Sequence, residues 1–280
     1  MLAANSYSQA LDVRHIKPAS QTDQRNQYYV GLLSLALEKT KAVDGEFQLI
    51  ESKVAMPQGR ALKELQKKSS LDVVWSMSTI QREEDLLPIR IPLLKGLLGY
   101  RVFIIRNEDS DKFKKINNLE QLKSMAAGQG HDWPDTHILK ANDLPVITSP
   151  SYSGLFDMLN NLRFDYFPRG IQEPWTEVAS HIEMNIVVEK TLMLKYRAPI
   201  YFFVNKNDTK LADRLERGLR IAINDGSFDE YFYSSPVNHS VFASGKMNGR
   251  KIFELKNPLL SSKTPLDDDT LWFNDEDLKN

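Results

Sequence analysis

Arg82 stands three residues after Thr79, and both follow an apolar run over residues 71–75 that breaks into the turn Ser76, Met77, Ser78. Three residues is about one helical turn. Arginine offers a planar, permanently charged fork that fits a carboxylate or phosphate, and a hydroxyl one turn away adds a further hydrogen bond to the same group. Ligands of open α/β sheets collect just beyond the carboxyl ends of the strands. A strand ending near Trp75 therefore predicts an anion clamp of Ser78, Thr79 and Arg82, with Gln58 and Arg60 of MPQGR on its rim. The competing assignment is a solvated Arg82 paired with Glu83 or Glu84.

A second polar group lies in RFDYFPRGIQEPW, which starts at Arg163. Asp165 opens a strand there, Arg169 follows a proline at its end, and Glu173 and Glu177 come next. Arg169 is either a second anion-binding fork or a structural arginine paired with Glu173 or Glu177. Trp133 and Tyr152 are ring faces in nearby loops, suited to stacking on a ligand or to packing internally.

Other motifs carry less chemistry. HDWPDTH holds the metal-ligand types His131, Asp132, Asp135 and His137 at none of the compact zinc spacings. Gly128-Gln129-Gly130 lacks the third glycine of a dinucleotide fingerprint and the Gly-Lys-Ser/Thr of a P-loop, and is expected to open a helix whose amides face an anion. No Gly-x-Ser-x-Gly elbow is present, and nothing fixes the separation of Glu173 and Glu177 as a glycosidase dyad. The sequence contains no cysteine, which excludes disulfides, thiolate metal sites and cysteine nucleophiles while leaving the redox compartment open. No catalytic residue, metal or cofactor is expected.

Apolar periodicity supplies the elements that must position these groups. Tyr29, Leu32, Leu33, Ala36 and Leu37 fall at i, i+3, i+4, i+7 and i+8, the stripe of a helix lying on a sheet. LDVRHI from Leu11 and FQLIES from Phe47 flank it as strands, so the chain opens as a parallel βαβ unit. RALKELQKKS from Arg60 is a helix leading into the strand LDVVW, and a further strand runs from Tyr100 to Arg106. The alternation restarts at Leu119 with a helix near LEQLKS, an apolar segment from Met125 to Ala127 and a loop holding Trp133. A strand around Val146 follows, then a helix with Leu155, Met158, Leu159 and Leu162 on one side, capped by Ser151 or Ser153. IVVEKTLMLKYRAPIYFFVN supplies more strands, and Asn207 or Asp208 caps a helix with Leu211, Leu215 and Leu219 that stops near Gly226. Two α/β lobes are expected, with crossings near residues 100–102 and 199–202. Residues 1–101 form the first part of lobe 1, 102–200 form lobe 2, and 201–280 complete lobe 1. A C-terminal tail bearing Leu259, Leu260, Leu271, Trp272 and Phe273 should wrap over that first lobe, since solvating those side chains would be costly.

In their order along the chain, these segments resemble the type II periplasmic solute-binding proteins, in particular the polar amino-acid group of family 3 extracellular solute-binding proteins. The resemblance rests on Asp72-Val73-Val74 running into Thr79-Ile80-Gln81-Arg82, on GLLGYRVFIIRNED as a crossing strand and on INNLEQLKSMAAGQG opening a second lobe. It rests also on SYSGLFDMLNNLRFDYF as a helix leading to an Asp-containing strand, and on LERGLRIAINDGSFDEYF as a return helix ending in Asp-Gly. It implies an α/β fold of two lobes joined by a two-stranded hinge, with a ligand cleft between them. Thr79 and Arg82 would hold a ligand carboxylate, and hinge closure would precede delivery to an ATP-driven, ABC-type membrane permease. It further implies a monomer without enzymatic activity or cofactor, in the periplasm, its signal peptide removed. A ligand-sensing module, an orphan binding protein not coupled to transport, or an enzyme built on the scaffold would share the fold. The chain departs from the family pattern at Met77, where a hydroxyl is common, and at Arg169-Gly170, where an acid usually meets the ligand's ammonium group. Two arginines from opposing lobes suit a ligand with two anionic ends; Glu173 in the ammonium role suits an amino acid.

With 280 residues, 41% of them hydrophobic, the chain can bury a substantial core. Its 36 Lys and Arg against 37 Asp and Glu leave a formal charge of -1, so no global field recruits nucleic acid or an anionic membrane, and a charged small solute must be recognised locally. No apolar segment approaches the roughly 20 residues that span a bilayer, so no membrane insertion is expected. The start, MLAANSYSQALDV, lacks a charged region followed by an apolar one, and Leu2-Ala3-Ala4 reads as the remnant of a signal cleavage site.

Overall fold

The computed structural model describes residues 10–18, 24–242 and 247–273; Leu2-Ala3-Ala4 lies outside them. Twelve strands run through these residues: β1 (Leu11–His15), β2 (Phe47–Glu51), β3 (Val73–Met77), β4 (Leu87–Ile89), β5 (Tyr100–Arg106), β6 (Ala127–Gly130), β7 (Val146–Ser149), β8 (Tyr166–Gly170), β9 (Ile186–Val188), β10 (Leu192–Lys195), β11 (Ile200–Val204) and β12 (Lys251–Glu254). They divide between two compact units. One comprises Met1–Ser76, Gln81–Leu93 and Tyr201–Ser235, the other Met77–Ile80, Leu94–Ile200 and Pro236–Asn280.

In the first unit β1 and β2 pair in parallel, joined by the helix Gln24–Lys39, the βαβ opening expected from its stripe of apolar residues. Leu32, Leu33, Ala36 and Leu37 of that stripe are fully buried. β11 lies between β3 and β4, and all five of its residues, IYFFV, are buried. A continuous apolar run of this kind belongs to a strand covered on both faces. Tyr201 and Phe203 join Ala61, Leu65, Leu71, Val74 and Leu86 in one core cluster. The helix Thr209–Asn224, capped by the Asp208 carboxylate accepting from the Leu211 amide, packs on Gln24–Lys39.

The second unit is built on one mixed sheet in the order β12-β10-β5-β8-β6-β7, with β9 also pairing with β5. β5 is antiparallel to β8, β9 and β10, whereas β6 is parallel to β7 and β8. Every residue of β5 and β8 is buried, and Leu155, Phe156 and Leu159 of the helix Tyr152–Asn160 close one core against Ile104 and Phe167. Ser151 caps that helix by accepting from the Gly154 amide.

The tail, expected over the first lobe, clusters by its own contacts with the second unit, where β12 extends the sheet beside β10. Its apolar side chains require cover, and sequence alone does not say whose. Gly128-Gln129-Gly130 does not open a helix; it forms most of β6, fully buried. A Cβ at Gly128 would come within 2.2 Å of the Phe164 ring, and one at Gly130 within 2.5 Å of the Trp133 ring, so aromatic packing on the sheet demands both glycines. The stretch after Trp133 is a helix, Pro134–Ala141, with proline in its first turn.

Candidate functional site

β3 ends at Met77 and the short helix Ile80–Asp85 follows, so the strand's carboxyl end delivers Ser76 and the first helical turn delivers Arg82. The Arg82 guanidinium is oriented from two directions within the first unit. Nη1 donates to the Ser76 hydroxyl at 2.7 Å and Nη2 donates to the Gln58 side-chain carbonyl at 2.9 Å. Gln58 opens the helix Gln58–Gln66, whose placement follows from Ala61 and Leu65 packing into the core. Two neutral acceptors fix the plane of a charged fork that is itself half-buried. Glu83, one of the two acids expected to neutralise Arg82, instead accepts from Arg90 at 2.7 Å and 3.0 Å. Arg60 lies exposed.

Asp72, at the head of the motif, has a different task. Its carboxylate accepts from Arg14 Nη2 at 2.7 Å, from Nε at 2.8 Å and from the Arg14 amide at 2.9 Å, and its own amide donates back to the Arg14 carbonyl. The pair locks the entry of β3 beside β1. Burial raises the Asp72 carboxyl, but the Arg14 hydrogen bonds outweigh it and hold the group below its ordinary range.

Ser78 and Thr79 are buried and cluster with the second unit. There the Ser78 amide donates to the Pro199 carbonyl at 2.8 Å, and the Ile80 amide to the Leu259 carbonyl at 2.9 Å.

Arg169, Glu173, Trp133 and Tyr152 come together in the second unit, the two charged side chains buried, Trp133 half-buried and Tyr152 exposed. Arg169 is 4% exposed. Its Nε and Nη2 form a bidentate pair with Glu177 at 2.8 Å and 2.7 Å, and Nη2 also reaches Glu173 at 3.0 Å. The rings of Trp133, Tyr152 and Phe167 surround the guanidinium at 5.0, 5.6 and 4.9 Å. Tyr152 donates its hydroxyl to Glu177 at 2.6 Å, and Glu173 accepts from the Gly170 amide at 2.7 Å. Burial lowers the Arg169 pKa, but Glu173 and Glu177 reverse that and raise it well above the ordinary value. Arg169 therefore takes the structural alternative. The aromatic rings expected to stack on a ligand stack on the protein's own arginine, and the case for a ligand with two anionic ends loses its second fork.

Arg101, Asp135 and Tyr196 extend this group and were not singled out together from sequence. Arg101, 3% exposed in the middle of the sheet, donates to Asp135 at 2.7 Å, and the Tyr196 hydroxyl donates to the same carboxylate. The available signal was an arginine inside the apolar run YRVFIIR, since a buried cation requires a buried acid. Two guanidiniums thus sit among three carboxylates. Asp135, considered as a metal ligand, is spent on this pair, and among the described residues no group of three or more His, Asp or Glu side chains is placed to hold a metal. No described helix is long and apolar enough to cross a membrane.

No protein-family model and no curated protein sequence matches the chain. Solved structures do. An ancestral arginine-binding protein bound to arginine is 17% identical, with a TM-score of 0.58, over 80% of this chain and 98% of that one. A periplasmic binding protein of Salmonella typhimurium with high arginine specificity is 11% identical, with a TM-score of 0.58, over 79% and 97%. A probable amino-acid ABC transporter extracellular-binding protein from Bacillus subtilis is 15% identical, with a TM-score of 0.59, over 82% and 99%. The chain has the α/β fold of the periplasmic binding proteins.

Proposed function

We propose that this protein is a non-enzymatic, extracytoplasmic solute-binding protein that captures a small polar solute bearing a carboxylate, with Arg82 as the anchor and Thr79 and Ser78 beside it in sequence. The observation that carries the reading is the Arg82 fork at the carboxyl end of β3, its plane fixed by Ser76 and Gln58. A guanidinium held in one plane loses little side-chain freedom when it meets a planar carboxylate, so binding there is preorganised. The fold shared with amino-acid-binding proteins supports the same class of ligand. A ligand with different affinities for two arrangements of the units would shift the population between them, and presentation of the loaded form to an ABC-type permease by a monomer completes the reading. The buried Arg169 group serves as a scaffold in this account.

The test is a thermal-shift panel of amino acids, dicarboxylates, polyamines and short peptides. A carboxylate solute at 100 times its dissociation constant should stabilise the protein by about 2.7 kcal/mol, polyamines should do nothing, and NMR of the recovered solute should show it unchanged. Stabilisation by polyamines alone, or turnover of the solute, contradicts the reading.

A further inference from the structure

The chain changes unit at residues 76/77, 80/81, 93/94, 200/201 and 235/236, and after the last change it fastens the second-unit ends of three of the others. The Leu259 carbonyl accepts from the Ile80 amide at 2.9 Å, where residues 77–80 end. The Phe273 amide donates to the Lys95 carbonyl at 2.7 Å, just after the change at 93/94. Asn257 Nδ2 donates to the Arg197 carbonyl at 2.8 Å, just before the change at 200/201, and the Arg197 guanidinium lies 4.8 Å from the Trp272 ring centre. The Ser78 amide, bonded to the Pro199 carbonyl, ties two of these segments to each other. All of these contacts lie inside the second unit.

Both ends of the segment are well anchored. Ahead of it β12 pairs with β10, Arg250 forms a buried pair with Glu189 at 3.7 Å, and Asn142 and Lys256 exchange hydrogen bonds of 2.8 Å and 3.0 Å. Behind it Trp272 is buried on Gly96, whose φ of +78° and lack of a Cβ admit the ring; a Cβ there would meet it at 2.7 Å. The middle, residues 257–270, is mostly exposed or half-buried. A half-open pocket of about 210 Å³ lies between Leu255, just ahead of this segment, Phe273 at its end, and Lys95, Gly96 and Arg197. Loose packing and few buried contacts mark a segment that opens at lower cost than the core beneath it.

Hinges are a few loop or element-terminal residues that absorb changes in φ and ψ. Residues 77–80, 94–95 and 197–200 occupy such positions, and each is bonded to the tail or to a segment that is. We propose that residues 257–273 form a strap that restrains these connecting segments, so that its docked or released state sets how freely the two units rearrange. The proposal stands on the tail's contacts and uses no part of the solute-binding reading.

The absence of cysteine makes the test direct. Val43→Cys in the first unit and Ile182→Cys in the second, both highly exposed positions, carry a spin-label pair for a distance distribution in solution without ligand. Trp272→Ala, and separately a chain ending at residue 256, should broaden that distribution, and hydrogen exchange at the Ile80 and Ser78 amides should accelerate by about tenfold or more while β5 and β8 keep their wild-type rates. If the truncated chain fails to fold, Trp272→Ala and Asn257→Ala give the same readouts. An unchanged distribution, or acceleration spread evenly over the whole second unit, overturns the strap.

Discussion

Three arginines show how burial sorts one residue type into different tasks. Arg169 sits among carboxylates with almost no access to water, so Arg169→Met or Glu177→Gln leaves a charge buried without its partner. Each should lower unfolding stability by about 3–5 kcal/mol, read from urea denaturation without ligand. Arg82→Ala removes, among its contacts, the half-buried hydrogen bonds to the neutral Ser76 and Gln58 and should cost about 1–3 kcal/mol in the same experiment. Equal losses at Arg82 and Arg169 would make Arg82 structural too. Arg14 works through Asp72, whose carboxyl is held below its ordinary value in the fold. A lowered folded pKa gives stability that is present above the unfolded value of about 3.9 and is lost as pH falls through the folded one. The stability difference between the wild-type protein and Asp72→Asn should therefore shrink as pH falls below about 4; a difference that stays constant there contradicts the assignment. The hydrogen bond between Arg82 and Ser76 was within reach of the sequence, because the spacing and the strand before it are local. The partner of Asp72 was not, since Arg14 lies 58 residues away; for Arg169 the sequence offered Glu173 or Glu177 against a ligand, and burial of β8 decides for the two acids.

Elements with a long apolar period were readable, and those defined by contact were not. The stripe of Gln24–Lys39 and the buried runs of β5 and β11 announce themselves by pattern. β6 does not, because Ala-Gly-Gln-Gly has low strand propensity and its identity comes from rings packed on its glycines. The helix Pro134–Ala141 hides behind a polar string of His, Asp and Thr that resembles a loop. Leu162, expected on the apolar side of a helix, lies beyond the end of that helix with φ of +59° and is largely exposed. Close approach also decides Gly218, which faces the helix Gln24–Lys39 from Thr209–Asn224; a Cβ there would stand 1.9 Å from the Ala36 carbonyl oxygen. Gly218→Ala gains about 1 kcal/mol of helix propensity yet should still destabilise the protein by a net 1 kcal/mol or more, roughly the scale of overpacking. A raised melting temperature in calorimetry would show that the two helices have room to part.

At the scale of the molecule, a discontinuous first lobe was read from the strand-helix alternation that restarts after Leu119, and the strand Ile200–Val204 pairs between β3 and β4. The tail's partner was not legible, because an irregular segment with scattered apolar residues fits many surfaces and only β12, Trp272 and Phe273 decide among them. With a net charge of -1 the molecule exerts little long-range attraction on an anionic solute, so the account concentrates recognition in one fork. Isothermal titration of a carboxylate solute against wild-type protein, Arg82→Ala and Arg82→Lys tests that claim most directly. Arg82→Ala should weaken binding by about 30-fold or more, equivalent to about 2 kcal/mol, and Arg82→Lys should recover only part of the loss because the charge returns without the planar fork. Wild-type affinity in Arg82→Ala, with the fold intact, would place the solute elsewhere and contradict the account.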